Sequence, residues 1–568
     1  MNAARSADLR PDMSTIVAVG TPPHLGAEID NQARTSDLRN MIWPMLDNRS
    51  VCGRFGLLVV LTAASVLVAS SAAVANPESD VGSVGIGSEG ASSPAESVLS
   101  PQGNTRQVPA DFFGLNGARI IAPENADQWH DPVFRQALGG LEAGLLRVQG
   151  GTTSQWIDWR TGLFDEREGS LFIGQNEGRE PLLLEDWAQL VRETGATPIF
   201  DLNVLTSTLD DQIDMLRAAR ELGMEVKYVE LGNELWDPAG YYQQMYPTGA
   251  DYARAMNNWI VGLRAQFPGI EIAVSGADDS STITSVLGER LQQWNEGLYA
   301  NIVGADAVSI HPYWVPDPIQ ADVGATVAGG TVAWNAFSEK SLAKVPPSMS
   351  VWLSEYNQIN LPLGEIPGFP PHLIPGVPQT WAVGLGVASF ALASLTEPRV
   401  TMSVIHAALD GHPSERSRAA NGNEEIHAVL ADGSGGSTEF GRTAINEVLT
   451  PIYARIRGGA TVQALRADSA PSVIAALLSP LGVSQVSAVT GAMFSGEDPG
   501  AFLVNLSDRP IQVTLPSRLP ATLTANTLTA PPLSNPAFTP ADTVSRIRAI
   551  VSGEMVLAPY SLTELSVD

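Results

Sequence analysis

The sequence predicts an α/β fold, a (β/α)8 TIM barrel followed by a C-terminal antiparallel β-sandwich domain. Three observations carry this prediction. Eight short apolar or β-branched runs recur between residues 112 and 407, and amphipathic stretches with apolar residues at three- and four-residue spacing separate many of them. Beyond residue 458 the periodicity drops to two, with Pro, Gly and Asn turns between the runs.

Taken in chain order, residues 1–75 read as a signal region. The uncharged stretch from Phe55 to Ala75 follows Arg49 and Arg54 and ends in Ala73-Val74-Ala75, the layout of a secretory signal with an A-x-A cleavage site. Retained, the same stretch would serve as a membrane anchor, since a spanning helix needs about 20 residues. Met41 or Met45 gives a more usual start for such a signal than Met1. The single cysteine, Cys52, precedes the apolar run, so an exported chain would fold without disulfides and rely on a large core. Residues 76–106 are rich in Gly, Ser and Pro and lack apolar periodicity, and are expected to form a flexible linker.

The barrel is expected over residues 107–458. Its strands are predicted at 112–116, 144–150, 197–203, 227–233, 271–277, 306–314, 350–357 and 399–407, with helices at 185–195, 210–223 and 251–269 and a closing helix within 439–458. The second domain, 459–568, has period-two runs at 500–508, 510–516, 553–559 and 561–567.

Composition narrows the function. A formal net charge of -28 repels phosphate, which argues against nucleic acid, anionic membranes and polyanionic substrates as partners. There is no P-loop, no dinucleotide fingerprint and no His/Cys cluster at ligand spacing, so neither a cofactor nor a metal is expected. An acidic exported protein remains soluble outside the cell.

Barrel active sites lie where the strands end. The fourth predicted strand ends in Gly232-Asn233-Glu234, and the apolar run Val351 to Leu353 of the seventh leads through Ser354 to Glu355. Both acids therefore stand over one barrel mouth. Breaking a glycosidic bond needs such a pair, one carboxyl to protonate the leaving oxygen and the other to attack or support the anomeric carbon.

A glutamate after Gly-Asn on strand four, with a second closing strand seven, resembles the large clan of retaining (β/α)8 glycoside hydrolases. The resemblance implies that Glu234 is the general acid/base and Glu355 the nucleophile, with the carboxyl groups about 5 to 5.5 Å apart. It further implies that Asn233 hydrogen-bonds a sugar 2-hydroxyl, that Arg147 in LLRVQGGT supports the nucleophile, and that His311 and Tyr313 in SIHPYW belong to the pocket, Tyr313 orienting the nucleophile. Within the clan the chain is most similar to the heparanase and β-glucuronidase family, on LLRVQGGT, PIFDLN, YVELGNE, VWLSE and the terminal β domain. The arabinofuranosidase and β-xylosidase families share the same barrel-plus-sandwich plan.

The pattern also departs from the clan. Asp201 and Asn203 stand where many members carry a strand-three His, so Asn203 is expected to touch substrate; the strand-eight Trp is missing, leaving His406 or Asp410 to reach the site. Trp156, Trp159, Trp236, Trp314 and Trp352 are candidate sugar platforms, Trp236 and Trp314 foremost because they follow catalytic strands. No Lys/Arg cluster suited to heparan sulfate is present. The expected partner is thus a glycoside, oligosaccharide or polysaccharide. The rival readings are a non-catalytic carbohydrate-binding barrel and a transglycosylase, and the sequence leaves the sugar and the oligomeric state open.

Overall fold

The computed structural model describes residues 94–117, 128–238, 240–281, 289–316, 323–359, 380–408, 430–432, 440–478, 481–534 and 544–567. The signal region with Cys52, the linker as far as residue 93, the Pro-rich stretch 360–378 and Asp410 lie outside them.

Eight parallel strands close into a barrel in chain order. They are β1 (Phe113–Asn116), β2 (Leu145–Val148), β3 (Thr197–Asp201), β4 (Tyr228–Leu231), β5 (Glu271–Ser275), β6 (Ala307–Ser309), β7 (Ser350–Leu353) and β8 (Val400–Ile405). Every one falls inside a predicted run. A helix follows each strand: Pro132–Gly139, Leu184–Thr194, Leu209–Glu221, Gly249–Gln266, Glu289–Asn301, Val323–Lys340, Trp381–Thr396 and Ala444–Ile456. Local chemistry sets their starts. Thr248 accepts from the Asp251 backbone N–H at 3.2 Å while the Asp251 carboxylate accepts from the Thr248 N–H at 3.1 Å, a reciprocal cap for the helix that begins at Gly249.

Alternation along the strands decides what faces the barrel axis. Outward residues such as Leu146, Phe200, Val229, Val308 and Val351 join the main core beneath the helices. Inward residues Leu145, Ile199, Tyr228, Ala273, Ala307, Trp352, Met402 and Val404 pack into a separate apolar cluster, with Tyr228 edge-on to Trp352. That cluster is a floor. Two residues further along the same strands the inward positions become Arg147, Asp201, Glu230, Ser275 and Ser309, all buried.

The second domain rests on a nine-stranded sheet with its own apolar core, including Leu99, Leu465, Met493, Leu503, Val513, Leu557 and Leu565. One expectation fails here. The strand Ala95–Val108 lies within this sheet, antiparallel to Ala460–Asp468 and parallel to Ile511–Thr514, so the predicted linker does not extend to residue 106. Only Ser97, Leu99 and Val108 of that strand are buried, so it shows little periodicity, and its partners lie hundreds of residues away in sequence. The chain thus enters the β domain, builds the barrel, and returns.

Other apolar residues of the β domain, among them Val462, Phe494, Phe502 and Val504, join the core beneath the barrel helices. The helix Trp381–Thr396 is buried on nearly every side, and Trp381 Nε1 donates to the Tyr560 carbonyl at 2.7 Å. A hairpin, Ser472–Leu477 with Gly482–Ser487, reaches back to the barrel, where the Leu478 N–H donates to the Val315 carbonyl at 2.9 Å. Among the described residues no helix is long and apolar enough to cross a membrane.

Candidate active site

Glu234 leaves β4 through a strained turn. Gly232 has φ +83, and a Cβ there would come within 2.5 Å of Leu235 Cδ2 and 2.7 Å of Val204 Cγ2, so only glycine fits. Glu234 itself has φ 46, an uncommon conformation for a side-chain-bearing residue. The turn aims its carboxylate at His311, whose Nδ1 lies 3.0 Å from Glu234 Oε1.

Glu355 is held from four directions. Arg147 donates to Oε1 at 2.6 Å, Asn116 donates to the same oxygen at 3.1 Å, Tyr313 donates to Oε2 at 2.6 Å, and His311 Nδ1 stands 3.8 Å from Oε2. Burial alone would raise its pKa. The charges of His311, His406 and Arg147 and the Tyr313 hydrogen bond outweigh that cost and lower it to about 2, which keeps the carboxylate ionised. One oxygen of Glu234, one of Glu355 and a ring nitrogen of His311 all lie within 4.8 Å of one another. That spacing would also suit a cation, but the carboxylate oxygens of Glu355 already accept from protein donors.

Arg147 is the hub. It is fully buried and donates through Nε to Glu230 at 2.6 Å, through one terminal nitrogen to Glu355, and through the other to Asp201 at 3.1 Å and Asn233 Oδ1 at 3.0 Å. Three carboxylates thus share one guanidinium, and the pKa of Asp201 rises to about 7 because burial and the Glu230 charge outweigh the pull of Arg147. His311 shifts upward as well: burial opposes its charged form, but Glu355 and Glu234 favour it more. Burial, aided by Glu355, pushes the Tyr313 phenol well above its ordinary value, so it stays a donor.

The structure therefore brings Glu234, Glu355, Arg147, Asn233, His311 and Tyr313 together. His406, at the end of β8, joins them with its ring edge-on to Tyr313, the ring centroids 6.1 Å apart. Asn203 and Trp314 go elsewhere. The Asn203 side chain accepts from the Leu205 and Thr206 N–H groups and donates to Thr206 Oγ1, bracing the turn after β3. Trp314 is fully buried, stacked on Phe390 with Nε1 donating to Gln358 at 3.3 Å. Trp156, Trp236 and Trp352 are buried too, and Trp159 is half-buried beside Arg160.

Four further site residues, Asn116, Glu230, Ser309 and Ser354, were not read from the sequence as functional. Their signal is parity. Glu230 is a charge at an inward position of an otherwise apolar strand, and so is Arg147.

No protein-family model matches the chain, and no curated protein matches it. Solved structures match over most of its length. The chain is similar to a family 51 α-L-arabinofuranosidase from Bifidobacterium longum at 16% identity and a TM-score of 0.60, over 84% of this chain and 100% of that one. An arabinofuranosidase from Thermotoga petrophila matches at 15% identity and a TM-score of 0.56, over 84% and 99%. One from Xanthomonas axonopodis pv. citri matches at 16% and 0.55, over 84% and 100%. The likeness is one of fold: a (β/α)8 barrel followed by a β domain.

Proposed function

We propose that the protein is a retaining glycoside hydrolase acting on neutral sugars. The observation that carries this reading is the carboxylate pair: oxygens of Glu234 and Glu355 lie within 4.8 Å of each other, which suits the close carboxyl spacing of about 5 to 5.5 Å that double displacement uses better than the about 6.5 to 9.5 Å of an inverting enzyme.

In the first step Glu355 attacks C1. The glycosidic bond breaks as a carboxylate oxygen bonds to carbon, and Glu234 gives its proton to the departing oxygen. In the second, Glu234 takes a proton from water, the water oxygen bonds to C1, and Glu355 leaves as a carboxylate. Its depressed pKa makes it a good leaving group and keeps it ionised for the next attack. Asn233 presents its carbonyl oxygen to Arg147, and its amide N–H groups carry no hydrogen bond among the described residues, which leaves them for a sugar hydroxyl.

Electrostatics favours a neutral sugar over a uronide. Arg147 is the cation bonded to the nucleophile, and it is already shared among Glu230, Glu355 and Asp201. A sugar carboxylate would meet a site with more acids than bases. The structural neighbours named as arabinofuranosidases make α-L-arabinofuranosides the first substrates to try. The proposal includes export through Phe55–Ala75, which N-terminal sequencing of protein recovered from the culture medium would check.

The test is mass spectrometry after incubation with 2-deoxy-2-fluoro arabinofuranoside, xyloside, glucoside, galactoside and glucuronide. The expected result is an adduct on the peptide containing Glu355, from a neutral member and absent in Glu355→Gln. A folded protein that forms no adduct with any of them and turns over none of the parent glycosides sinks the reading in favour of a binding barrel.

A further inference from the structure

A hydrogen-bonded chain runs inward from Glu234. His311 places Nδ1 3.0 Å from Glu234 Oε1 and Nε2 2.9 Å from Ser354 Oγ; Ser354 Oγ meets Ser309 Oγ at 2.5 Å, and Ser309 Oγ lies 3.1 Å from Glu230 Oε1. Glu230 is an acceptor at both oxygens, since Oε2 takes the Arg147 Nε–H at 2.6 Å. Ser309, Ser354 and Glu230 are all buried.

Counting hydrogens gives this chain a direction. Each serine has one O–H. Ser309 satisfies its contact with Glu230 only by donating, because the carboxylate has no hydrogen to give. The contact between the serines is then filled only by the hydrogen of Ser354, which leaves none for His311. Nε2 must therefore be the donor. Any other arrangement sets two lone pairs against each other in a buried site, an unmade hydrogen bond that folding rarely tolerates.

Resting on the glycosidase reading, we propose that Ser309 and Ser354 are positioning residues: they hold a hydrogen on His311 Nε2, so that the other hydrogen of the His311–Glu234 pair lies in the Nδ1–Oε1 bond, where the leaving oxygen takes it. The ring is faced by Glu234 from the end of β4, by Glu355 and Ser354 beyond β7, by Arg147 from β2 and by Ser309 from β6. Tyr313 and His406 bear on it through Glu355. Glu230 and Asp201, from β4 and β3, act through Ser309 and Arg147.

The experiment follows the ring and the reaction side by side. In the full chain labelled with 15N-histidine, His311 is identified by the signal lost in His311→Asn and titrated in the parent protein, Ser354→Ala and Ser354→Thr. Removing the acceptor of Nε2–H destabilises the doubly protonated ring. The His311 midpoint in Ser354→Ala is expected to fall by roughly one pH unit, the alkaline limb of kcat/KM on an α-L-arabinofuranoside to fall with it, and Ser354→Thr, which keeps the hydroxyl, to restore both. Ser309→Ala frees Ser354 to turn its hydrogen toward Nε2 and is expected to act in the same direction, which covers a Ser354→Ala that does not fold. A folded alanine variant with an unchanged midpoint overturns the chain, whatever the substrate. A midpoint that moves in a protein that turns over no glycoside upholds the hydrogen-bond assignment and overturns both its catalytic use and the glycosidase reading.

Discussion

The barrel interior holds two layers built on opposite principles, one directly above the other. The floor, with Leu145, Ile199, Tyr228, Ala307 and Trp352, is held chiefly by packing, with the Tyr228 hydroxyl also donating to Asp111 at 2.8 Å. Two residues further along the same strands stand Arg147, Asp201, Glu230 and Ser309, with Ser354 just beyond β7, each bound to partners on other strands. Strand alternation brings both layers to the axis; height along the strand decides which one water and substrate meet. A floor residue can therefore shrink with a local loss, whereas a hub residue takes its partners with it. Ile199→Val is expected to cost about 0.5–1.5 kcal/mol of stability. Arg147→Met should cost at least about 3–5 kcal/mol, because it strands Glu230, Asp201 and Glu355 without their shared cation. Urea unfolding of the two variants checks the contrast, and comparable losses would mean that the polar layer is not held together through Arg147.

The polar layer can be divided further by pH, since two carboxylates on the same guanidinium shift in opposite directions. Asp201 rises from an ordinary 3.8 to about 7, so the native state binds its proton more tightly than the unfolded chain does. Its contribution is complete below pH 3.8 and is lost as pH rises through 7. Glu355 falls from 4.5 to about 2, so its contribution is complete above pH 4.5 and is lost as pH falls toward 2. Between its limits the Asp201 shift is worth on the order of 4 kcal/mol and the Glu355 shift on the order of 3 kcal/mol. In urea titrations across this range, Asp201→Asn is expected to flatten the neutral side of the stability profile and Glu355→Gln the acid side. An Asp201→Asn profile that runs parallel to the parent would show that the native state binds the Asp201 proton no more tightly than the unfolded chain does.

The two layers also differ in how well the sequence announces them. Buried parallel strands are continuous apolar runs, so all eight were legible, and the strand-end rule then picked out Glu234 and Glu355. Glu230 was harder to see although it sits in the same VELGN segment: a lone acid looks like surface until the strand's parity is counted from Tyr228. Ser309 and Ser354 carry no charge to raise the question at all. Ala95–Val108 and Trp314 escaped for another reason, because their surroundings come from distant chain. The first pairs with residues beyond 459, and the second is stacked on Phe390 and lies close against Gly329. Local composition does not record what will later be laid on top.

Tyr313 and Trp314 offer the finest contrast, because adjacent residues of one short strand point to opposite fates. Tyr313 gives its hydroxyl to Glu355, and losing a hydrogen bond to a charged group costs roughly 1.5–3 kcal/mol. Tyr313→Phe is therefore expected to lower kcat/KM by roughly 10- to 100-fold, with a stability loss of no more than about 1.5–3 kcal/mol. Trp314 has no surface to offer a sugar. Trp314→Phe leaves a gap beside Phe390 and removes the hydrogen bond to Gln358, so it is expected to lower stability by about 1–2 kcal/mol and to leave kcat and KM unchanged in the protein that remains folded. If KM rose instead while stability held, the ring would have to leave its stack on Phe390 to meet substrate, and the boundary between the packed interior and the pocket would have to move outward past Tyr313.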